Sequence, residues 1–310
     1  MTTSFVLGSG GLLGSEVQRL CDRTFRSHLS FSAPVPWDEP DAVARAVRGV
    51  VDSVGSDDRT LVAFWCAGVG HVGSSDDELA ATTDVLVASL DELTRGVERG
   101  LSVHLSYASS AGAVWAGSSE LPITESTPTA PIHPYGRAKL LEEDLVTAWG
   151  TAHAQNITIA RISNLFGENQ DPAKPQGLIT KLVAGALRGE PTPIFVPLDT
   201  GRDFLPARTA AEMLVADAAE VAAATSGPEV TTRILASGQS HTIAQVCGVL
   251  QRLRRRRVPL VHVVSDQTLR QPARLEFRTD RPFDDVAVPS LEESLRMMYD
   301  DETRRLAASA

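Results

Sequence analysis

The chain has 310 residues, of which 43% are hydrophobic and 22% are charged, a composition typical of a globular protein with room for a large domain and a smaller lobe. Its formal net charge of −10 argues against a nucleic-acid partner, because phosphate backbones bind basic surfaces. The sequence shows neither a membrane-length apolar run nor a leader-like segment, so we expect a cytoplasmic protein that does not bind membranes.

Short apolar runs alternate with amphipathic segments through the first two thirds of the chain. The run at 61–66 is apolar throughout, which is typical of a parallel strand buried on both faces. We predict strands at 4–7, 28–31, 34–37, 61–66, 101–107 and 157–162, and helices at 12–20, 41–54, 77–97 and 135–149. This order predicts an α/β fold with a doubly wound parallel sheet.

The three cysteines, Cys21, Cys66 and Cys247, stand alone without a CxxC spacing. This arrangement predicts reduced thiols, with neither a disulfide framework nor a metal site. The arginine-rich segment at 252–257 closes a helix before a strand at 258–264 and is interpreted as a solvated face.

A glycine-rich turn follows the first predicted strand and opens the first helix. Gly8 permits the tight turn, Gly11 lets the backbone approach a pyrophosphate, and Gly14 lets the helix pack closely on the strand. Because a helix N-terminus offers N–H donors to phosphates, we expect a dinucleotide site there. Its predicted residues are Gly8, Gly10, Gly11, Leu12, Leu13 and Gly14, together with Ala67 and Gly68 after the strand at 61–66.

The end of the second strand lacks the acidic residue that usually binds the ribose 2′-hydroxyl of NAD. Ser30 and Ser32 lie near that place instead. Both NAD and NADP therefore remain open as cofactors.

Tyrosine and lysine are rare in this chain, with three of each, yet Tyr135 and Lys139 share one helical face at i, i+4. A lysine ammonium beside a phenol favours the phenolate, which can exchange a proton with a substrate hydroxyl or carbonyl while a hydride moves to or from a nicotinamide. Ser110, at the end of the strand at 101–107, is the candidate for holding the reacting oxygen, with Ser109 as the alternative.

Five segments together resemble the extended short-chain dehydrogenases, above all nucleotide-sugar epimerases of the UDP-galactose 4-epimerase kind. They are GSGGLLG at 8–14, SSAGAVW at 109–115, PYGRAK at 134–139, RISNLFG at 161–167 and RDF at 202–204. The resemblance implies a Rossmann-type sheet, an NAD or NADP cofactor, a nucleotide-sugar substrate and a homodimer. It also implies a dinucleotide-binding domain at 1–165, to which 200–236 return, and a smaller substrate-binding lobe from 166–199 and 237–310.

The same resemblance implies roles for individual residues. Tyr135 is the acid/base, Lys139 holds the nicotinamide ribose, and Ser110 binds the reacting oxygen. Asn164 is similar to a substrate-contacting asparagine, and Arg202 is similar to a pyrophosphate-binding arginine. Weaker candidates for binding the pyrophosphate are Arg270, Arg274 and Arg278. Counting back from Val114 places the usual serine or threonine on Ala111 instead of Ser110, and Trp115 replaces a common tyrosine.

The segment Ala111-Gly112-Ala113 narrows the reaction. Dehydratases of this group have an Asp-Glu pair there, and some epimerase-reductases have a cysteine at the position of Gly112. A 4-epimerase with tightly held NAD is therefore the favoured function, with an NADPH-dependent 4-ketoreductase as the alternative. A non-catalytic NADP-sensing regulator is a more remote one, since both Tyr135 and Lys139 are present.

Overall fold

A computed structural model describes residues 2–31, 35–55, 57–68, 70–168, 170–174, 176–263 and 272–309. Ser32, Pro34 and Arg270, which entered the sequence predictions, lie outside the described residues, as does the last residue of the strand predicted at 258–264. No helix in the described part of the chain is both long and apolar enough to cross a membrane.

A parallel sheet with strand order β2-β1-β3-β4-β5-β9 forms the centre of the described structure. Its third strand in the chain is buried along almost its whole length, because apolar side chains face helices on both sides. The six strands are β1 (Thr2–Leu7), β2 (Ser27–Leu29), β3 (Thr60–Trp65), β4 (Ser102–Ser110), β5 (Asn156–Ile162) and β9 (Val230–Leu235).

Helices cover both faces of this sheet. One face is packed by α2 (Pro40–Ser53), α3 (Asp76–Glu98) and α5 (Pro134–His153), and the other by α1 (Leu12–Thr24) and α7 (Ala207–Ala223). A short helix, α4 (Ala111–Val114), follows directly on β4. The doubly wound α/β fold predicted from the sequence is thereby confirmed.

Smaller elements gather beyond the carboxyl end of β5. A three-stranded sheet contains β6 (Asn164–Phe166), β8 (Gly201–Pro206) and β10 (Ser240–Thr242), and a two-stranded sheet contains β7 (Thr192–Ile194) and β11 (Leu260–His262). Around a separate apolar core lie α6 (Leu178–Arg188), α8 (Ile243–Arg254) and α9 (Leu291–Ser309). The domain boundaries stated above stay a prediction.

Two local predictions differ from the structure. The described part of the strand predicted at 34–37 is a loop, in which Val35 and Trp37 pack on the apolar core of the large sheet while Pro36 is exposed. The strand predicted at 28–31 is shorter and begins earlier, at Ser27. Both differences lie in the short connection between α1 and α2, whose sequence is interrupted by prolines. Tertiary packing therefore decides the conformation of this segment.

Candidate active site

The turn between β1 and α1 is a close-packed glycine structure. Gly8 has φ of +87°, and its carbonyl accepts a hydrogen bond of 2.9 Å from the Gly11 amide. A Cβ at Gly8 would lie 2.6 Å from the backbone nitrogen of Ala67, and one at Gly14 would lie 2.1 Å from the Gly8 carbonyl oxygen. Neither position has room for a side chain, so glycine is required at both.

In the first turn of α1, no side chain of the helix competes with a ligand for the free amide groups. Gly11 is the N-cap, it makes no side-chain cap bond, and the first turn has no acidic residue. Such an end is complementary to an anion, because the helix dipole and the free N–H groups both favour negative charge. Ala67 and Gly68 lie beside this turn at the end of β3, and Gly68 is exposed with φ of +140°. These residues fit the pyrophosphate of a dinucleotide.

The end of β2 offers hydroxyls and no carboxylate among the described residues 27–31. Ser30 accepts a hydrogen bond of 3.3 Å from the side-chain amide of Gln18 on α1. No negative charge in that segment would repel a 2′-phosphate, so this edge of the site is compatible with either form of the cofactor.

Tyr135 lies in the first turn of α5 and packs against the loop that follows β3. A Cβ at Gly70 would lie 3.0 Å both from the Tyr135 ring and from the Leu79 side chain. The ring is partly buried. One helical turn later, the Lys139 ammonium reaches the same loop, 3.9 Å from where a Cβ at Gly68 would lie. The structure therefore brings Tyr135, Lys139 and the β3 loop together.

Lys139 is buried, and its ammonium group donates hydrogen bonds to two neighbouring side chains. Its Nζ donates to a Glu142 oxygen at 2.9 Å and to the Tyr107 hydroxyl at 3.0 Å. Burial lowers the pKa of Lys139, but the neighbouring Tyr107, Glu142 and Tyr135 outweigh this effect, and the pKa lies well above its usual value. Burial also raises the pKa of Tyr107, to well above its usual value, so Tyr107 stays a neutral phenol. Lys139 is therefore a cation at neutral pH.

Ser109 and Ser110 have different environments at the end of β4. The Ser109 hydroxyl is buried and donates to the Glu143 carboxylate, which also binds Arg161 in a bidentate ion pair. Ser110 is partly exposed at the start of α4. Ala111, the alternative position for the usual hydroxyl residue, is fully buried. Ser110 is thus the better placed of the three to reach a ligand.

Asn164 and Arg202 lie on adjacent strands of the small sheet. The Asn164 amide nitrogen donates to the Asp203 carbonyl at 2.9 Å, while its Oδ1 lies 3.9 Å from where a Cβ at Gly112 would be. Arg202 is buried and donates to the carbonyls of Gly201 and Pro272, each at 2.8 Å. Burial lowers the pKa of Arg202 to about 10. The roles predicted for both residues remain predictions.

The two described arginines among the weaker candidates are exposed, although Arg274 lies beside Gly201, the neighbour of Arg202. Arg274 is exposed and forms an ion pair of 2.7 Å with Glu276, while Arg278 is also exposed. Arginines of the 252–257 segment are largely exposed too, and Arg252 pairs with Glu292 at 3.0 Å. A search of the described residues for clusters of histidine, cysteine, aspartate and glutamate that could bind a metal finds none.

Sequence reasoning missed Tyr107 and Glu142, which surround the Lys139 ammonium. The i, i+3 spacing of Lys139 and Glu142 was visible as a helical pair. What the spacing could not reveal is their burial, with side-chain exposures of 8% and 3%.

The model of the NAD dependent epimerase/dehydratase family matches residues 5–231, which is most of the chain. The chain belongs to this family. The match covers the glycine turn, Ser110, Tyr135, Lys139, Asn164 and Arg202.

Individual relatives agree with this membership. The UDP-glucose 4-epimerase of Azospirillum brasilense is 36% identical over 95 residues, which are 28% of this chain and 27% of the relative. In such alignments the chain spans about a third or less of the length of the curated epimerases it matches.

Solved structures of the same fold can be superposed on nearly the whole of this chain. The UDP-glucose 4-epimerase of Thermotoga maritima, solved with UDP-glucose, has a TM-score of 0.76 at 19% identity and covers 99% of this chain and 100% of its own. RMD from Pseudomonas aeruginosa, complexed with NADPH, has a TM-score of 0.76 at 21% identity and covers 97% of this chain and 99% of its own. At these identities the likeness establishes the fold.

Proposed function

We propose that this family member is an NAD(P)-dependent 4-epimerase of a nucleotide sugar. The observation that supports the proposal most is the convergence of Tyr135 and Lys139 on the β3 loop, next to the glycine turn of α1. An acid/base phenol, a buried cation and a dinucleotide-compatible turn then lie at the carboxyl ends of adjacent parallel strands, where ligands of such sheets bind.

The cofactor would be held by the backbone of Gly8 to Gly14 and by the segment Ala67-Gly68. A bound nicotinamide dinucleotide supplies the hydride acceptor and donor that the side chains of the protein lack. Lys139, with one of its three N–H donors left after Tyr107 and Glu142, would donate to the nicotinamide ribose.

Tyr135 would remove the proton from the sugar 4-hydroxyl as the carbon that carries it is oxidised. After the oxidised sugar has turned its opposite face toward the cofactor, Tyr135 would return the proton to the same oxygen. Ser110 would donate to the same oxygen and hold it beside the phenol. Asn164 and Arg202 would contact the sugar and the nucleotide pyrophosphate, respectively. Arg202 requires a rearrangement of its bonds to Gly201 and Pro272 to do so, or else supports the site through the backbone.

The segment Ala111-Gly112-Ala113 supports a reaction that needs no further acid or base. The Cβ position of Gly112 lies near the Asn164 side chain, so this segment borders the proposed substrate site. Without a carboxylate there, removal of a C5 proton and loss of water have no group to assist them. Besides the bound dinucleotide that would take and return the hydride, epimerisation needs only the serine, tyrosine and lysine that are present.

An NADPH-dependent 4-ketoreductase is the second candidate, and the end of β2 is compatible with its cofactor. The absence of a carboxylate from the described residues 27–31 removes the usual barrier to a 2′-phosphate. Both reactions move one hydride at one carbon. They differ in whether the cofactor remains bound between turnovers.

A cytoplasmic homodimer with a nucleotide-sugar substrate completes the proposal. The outer faces of α3 and α5 carry exposed apolar side chains, including Val87 at 40% and Leu141 at 53% exposure. These two helices would pair with their copies in a second subunit and so cover both side chains.

Mass spectrometry of the small molecules released by denaturing the purified protein tests the proposal. Stoichiometric NAD, together with interconversion of a UDP-sugar pair without added cofactor, would support the epimerase. An empty protein that takes up NADPH and reduces a 4-keto sugar nucleotide would favour the reductase. A protein that binds neither dinucleotide would contradict both.

A further inference from the structure

A buried triangle of side chains fixes the position of Lys139. The Tyr107 hydroxyl donates to Oε2 of Glu142, and the Lys139 ammonium donates to both groups. On the far side, the Thr83 hydroxyl of α3 donates to Oε1 of Glu142 at 3.3 Å. Both carboxylate oxygens are therefore held in place, by residues from β4, α3 and α5.

We propose that Glu142 is a positioning residue that keeps Lys139 protonated and directed at the active-site loop. Its role in the reaction rests on the proposed function, because the charge of Lys139 matters there only if Tyr135 is the acid/base. The state of charge of Lys139 itself is a property of the folded protein and can be measured without substrate or cofactor.

Burial makes this assignment necessary. Lys139 has a side-chain exposure of 8%, and a buried ammonium without a partner readily loses its proton. The titratable groups that act on it are Tyr107 on β4 and Glu142 and Tyr135 on α5. Tyr107 is a neutral phenol, so it offers a lone pair but no full charge. Glu142 is thus the anion in direct contact with the ammonium that offsets the cost of burying it.

The neighbouring residue Glu143 provides a matched control. It lies on the same helix, is equally buried, and forms its ion pair with Arg161 at 2.6 Å. Arginine does not lose its proton in the accessible pH range, whereas lysine can. Replacing either glutamate by glutamine keeps the shape and a hydrogen-bonding oxygen while removing the charge. Only the lysine can respond by deprotonation.

The test compares the melting temperatures of the wild type, Glu142→Gln and Glu143→Gln between pH 7 and 10. Each variant should melt lower than the wild type at pH 7, by roughly 5 °C or more, because a buried cation has lost its anion. In Glu142→Gln the pKa of Lys139 should fall below its unfolded value, so the unfolded chain binds more protons and relative stability rises with pH. The deficit should therefore shrink by about half or more by pH 10 for Glu142→Gln and stay constant for Glu143→Gln.

Equal, pH-independent deficits in both variants would overturn the proposal, since Lys139 would then keep its charge without Glu142. If Glu142→Gln does not fold, the double variant Lys139→Met/Glu142→Gln decides the same point. It removes both charges and should fold and melt above Lys139→Met, which leaves a buried carboxylate unpaired. A double variant no more stable than Lys139→Met would contradict the pairing.

A second measurement tests the role in the reaction. With a wild-type enzyme that turns over, the alkaline limb of kcat/KM against pH should move down by about one pH unit or more in Glu142→Gln, and Glu142→Asp should restore most of this shift. An unmoved limb alongside the expected melting data would show that Glu142 sets the charge of Lys139 without affecting catalysis. That result would overturn the positioning role, while failure of the proposed function appears separately as lack of dinucleotide binding by the wild type.

Discussion

The Ser109 hydroxyl donates to the Glu143 carboxylate, whereas its neighbour Ser110 is partly exposed at the N-terminus of α4. Since a β-strand directs successive side chains to opposite faces, the two hydroxyls cannot serve the same purpose. Ser109 joins the strand to α5, and Ser110 is the one whose hydroxyl is proposed to face the substrate.

Exchanging each serine for alanine should separate these functions. Ser110→Ala should lower kcat by roughly 10- to 100-fold with an unchanged free energy of unfolding, because the lost bond is made to the reacting oxygen. Ser109→Ala should keep most of the activity but lose about 1.5–3 kcal/mol of stability, because a buried bond to a charged group is removed. Steady-state kinetics and urea denaturation of the two variants measure both effects. A larger kinetic loss in Ser109→Ala would reverse the assignment.

Tyr135→Phe should lower kcat by roughly 10²–10⁴-fold, the usual contribution of a general acid/base. Dinucleotide affinity and melting temperature should stay close to those of the wild type, because the partly buried ring still packs on Gly70 and Leu79. Isothermal titration with NAD and NADPH, alongside turnover, provides the comparison. Near-wild-type turnover in Tyr135→Phe would exclude the proposed mechanism.

Gly14→Ala should abolish dinucleotide binding and destabilise the fold. Its Cβ would lie 2.1 Å from the Gly8 carbonyl oxygen, so either the turn or α1 must move. Gly49→Ala in α2 is a suitable control, because its Cβ would have no heavy atom within 4 Å. That control should gain about 0.5–1 kcal/mol from the better helix propensity of alanine. Unimpaired NAD and NADPH binding in Gly14→Ala would show that the turn is not the pyrophosphate site.

His104 should make the protein acid-sensitive. Burial lowers the pKa of His104 to about 4, below its unfolded value, so the unfolded chain binds more protons between about pH 4 and 6.5. Stability should therefore fall as pH falls through this window, by about 2 kcal/mol between pH 7.5 and 5 from this residue. Urea denaturation at several pH values should show a shallower dependence for His104→Gln.

Charges placed on the outer faces of α3 and α5 should dissociate the expected dimer. Val87→Asp and Leu141→Asp each replace an exposed apolar side chain, so neither should disturb the monomer. Light scattering coupled to size exclusion should show a dimer for the wild type and a monomer for the double variant. A wild-type monomer at micromolar concentration would contradict the dimer.

Four strands of the large sheet, β1, β3, β4 and β5, were readily predicted because they have a strong pattern, whereas β9 was not predicted. β3 is apolar at every residue after Thr60, and β4 and β5 are long, so these strands stand out from the flanking helices. In the small sheets, β11 lies within the strand predicted at 258–264, but β6, β7 and β10, which have three residues each, were not predicted. Strands that short are specified by partners far away in the chain, and no local pattern marks them.

The candidate site, too, contains residues that the sequence predicted and residues that it did not. Tyr135 and Lys139 were found because two rare residues occurred at a helical spacing after a glycine turn. Glu142 and Glu143 were not found, because adjacent glutamates in an amphipathic helix are typical of a solvated face. They are instead 2% and 3% exposed. Their burial is compensated by the cations Lys139 and Arg161 and by the hydroxyl of Tyr107, two of which approach from the sheet.

The last strand of the large sheet is formed by residues far along the chain from the other five strands. β9, at Val230–Leu235, pairs with β5 but follows β6 to β8 and α7 in the chain, and α7 covers the face on which α1 packs. During synthesis, therefore, the glycine turn and Tyr135 emerge from the ribosome long before the sheet beneath them can be completed. The apolar face of α1 stays uncovered until α7 has emerged at residue 223, and β5 has an open edge until residue 235 has emerged, so a chaperone has most to protect in this interval.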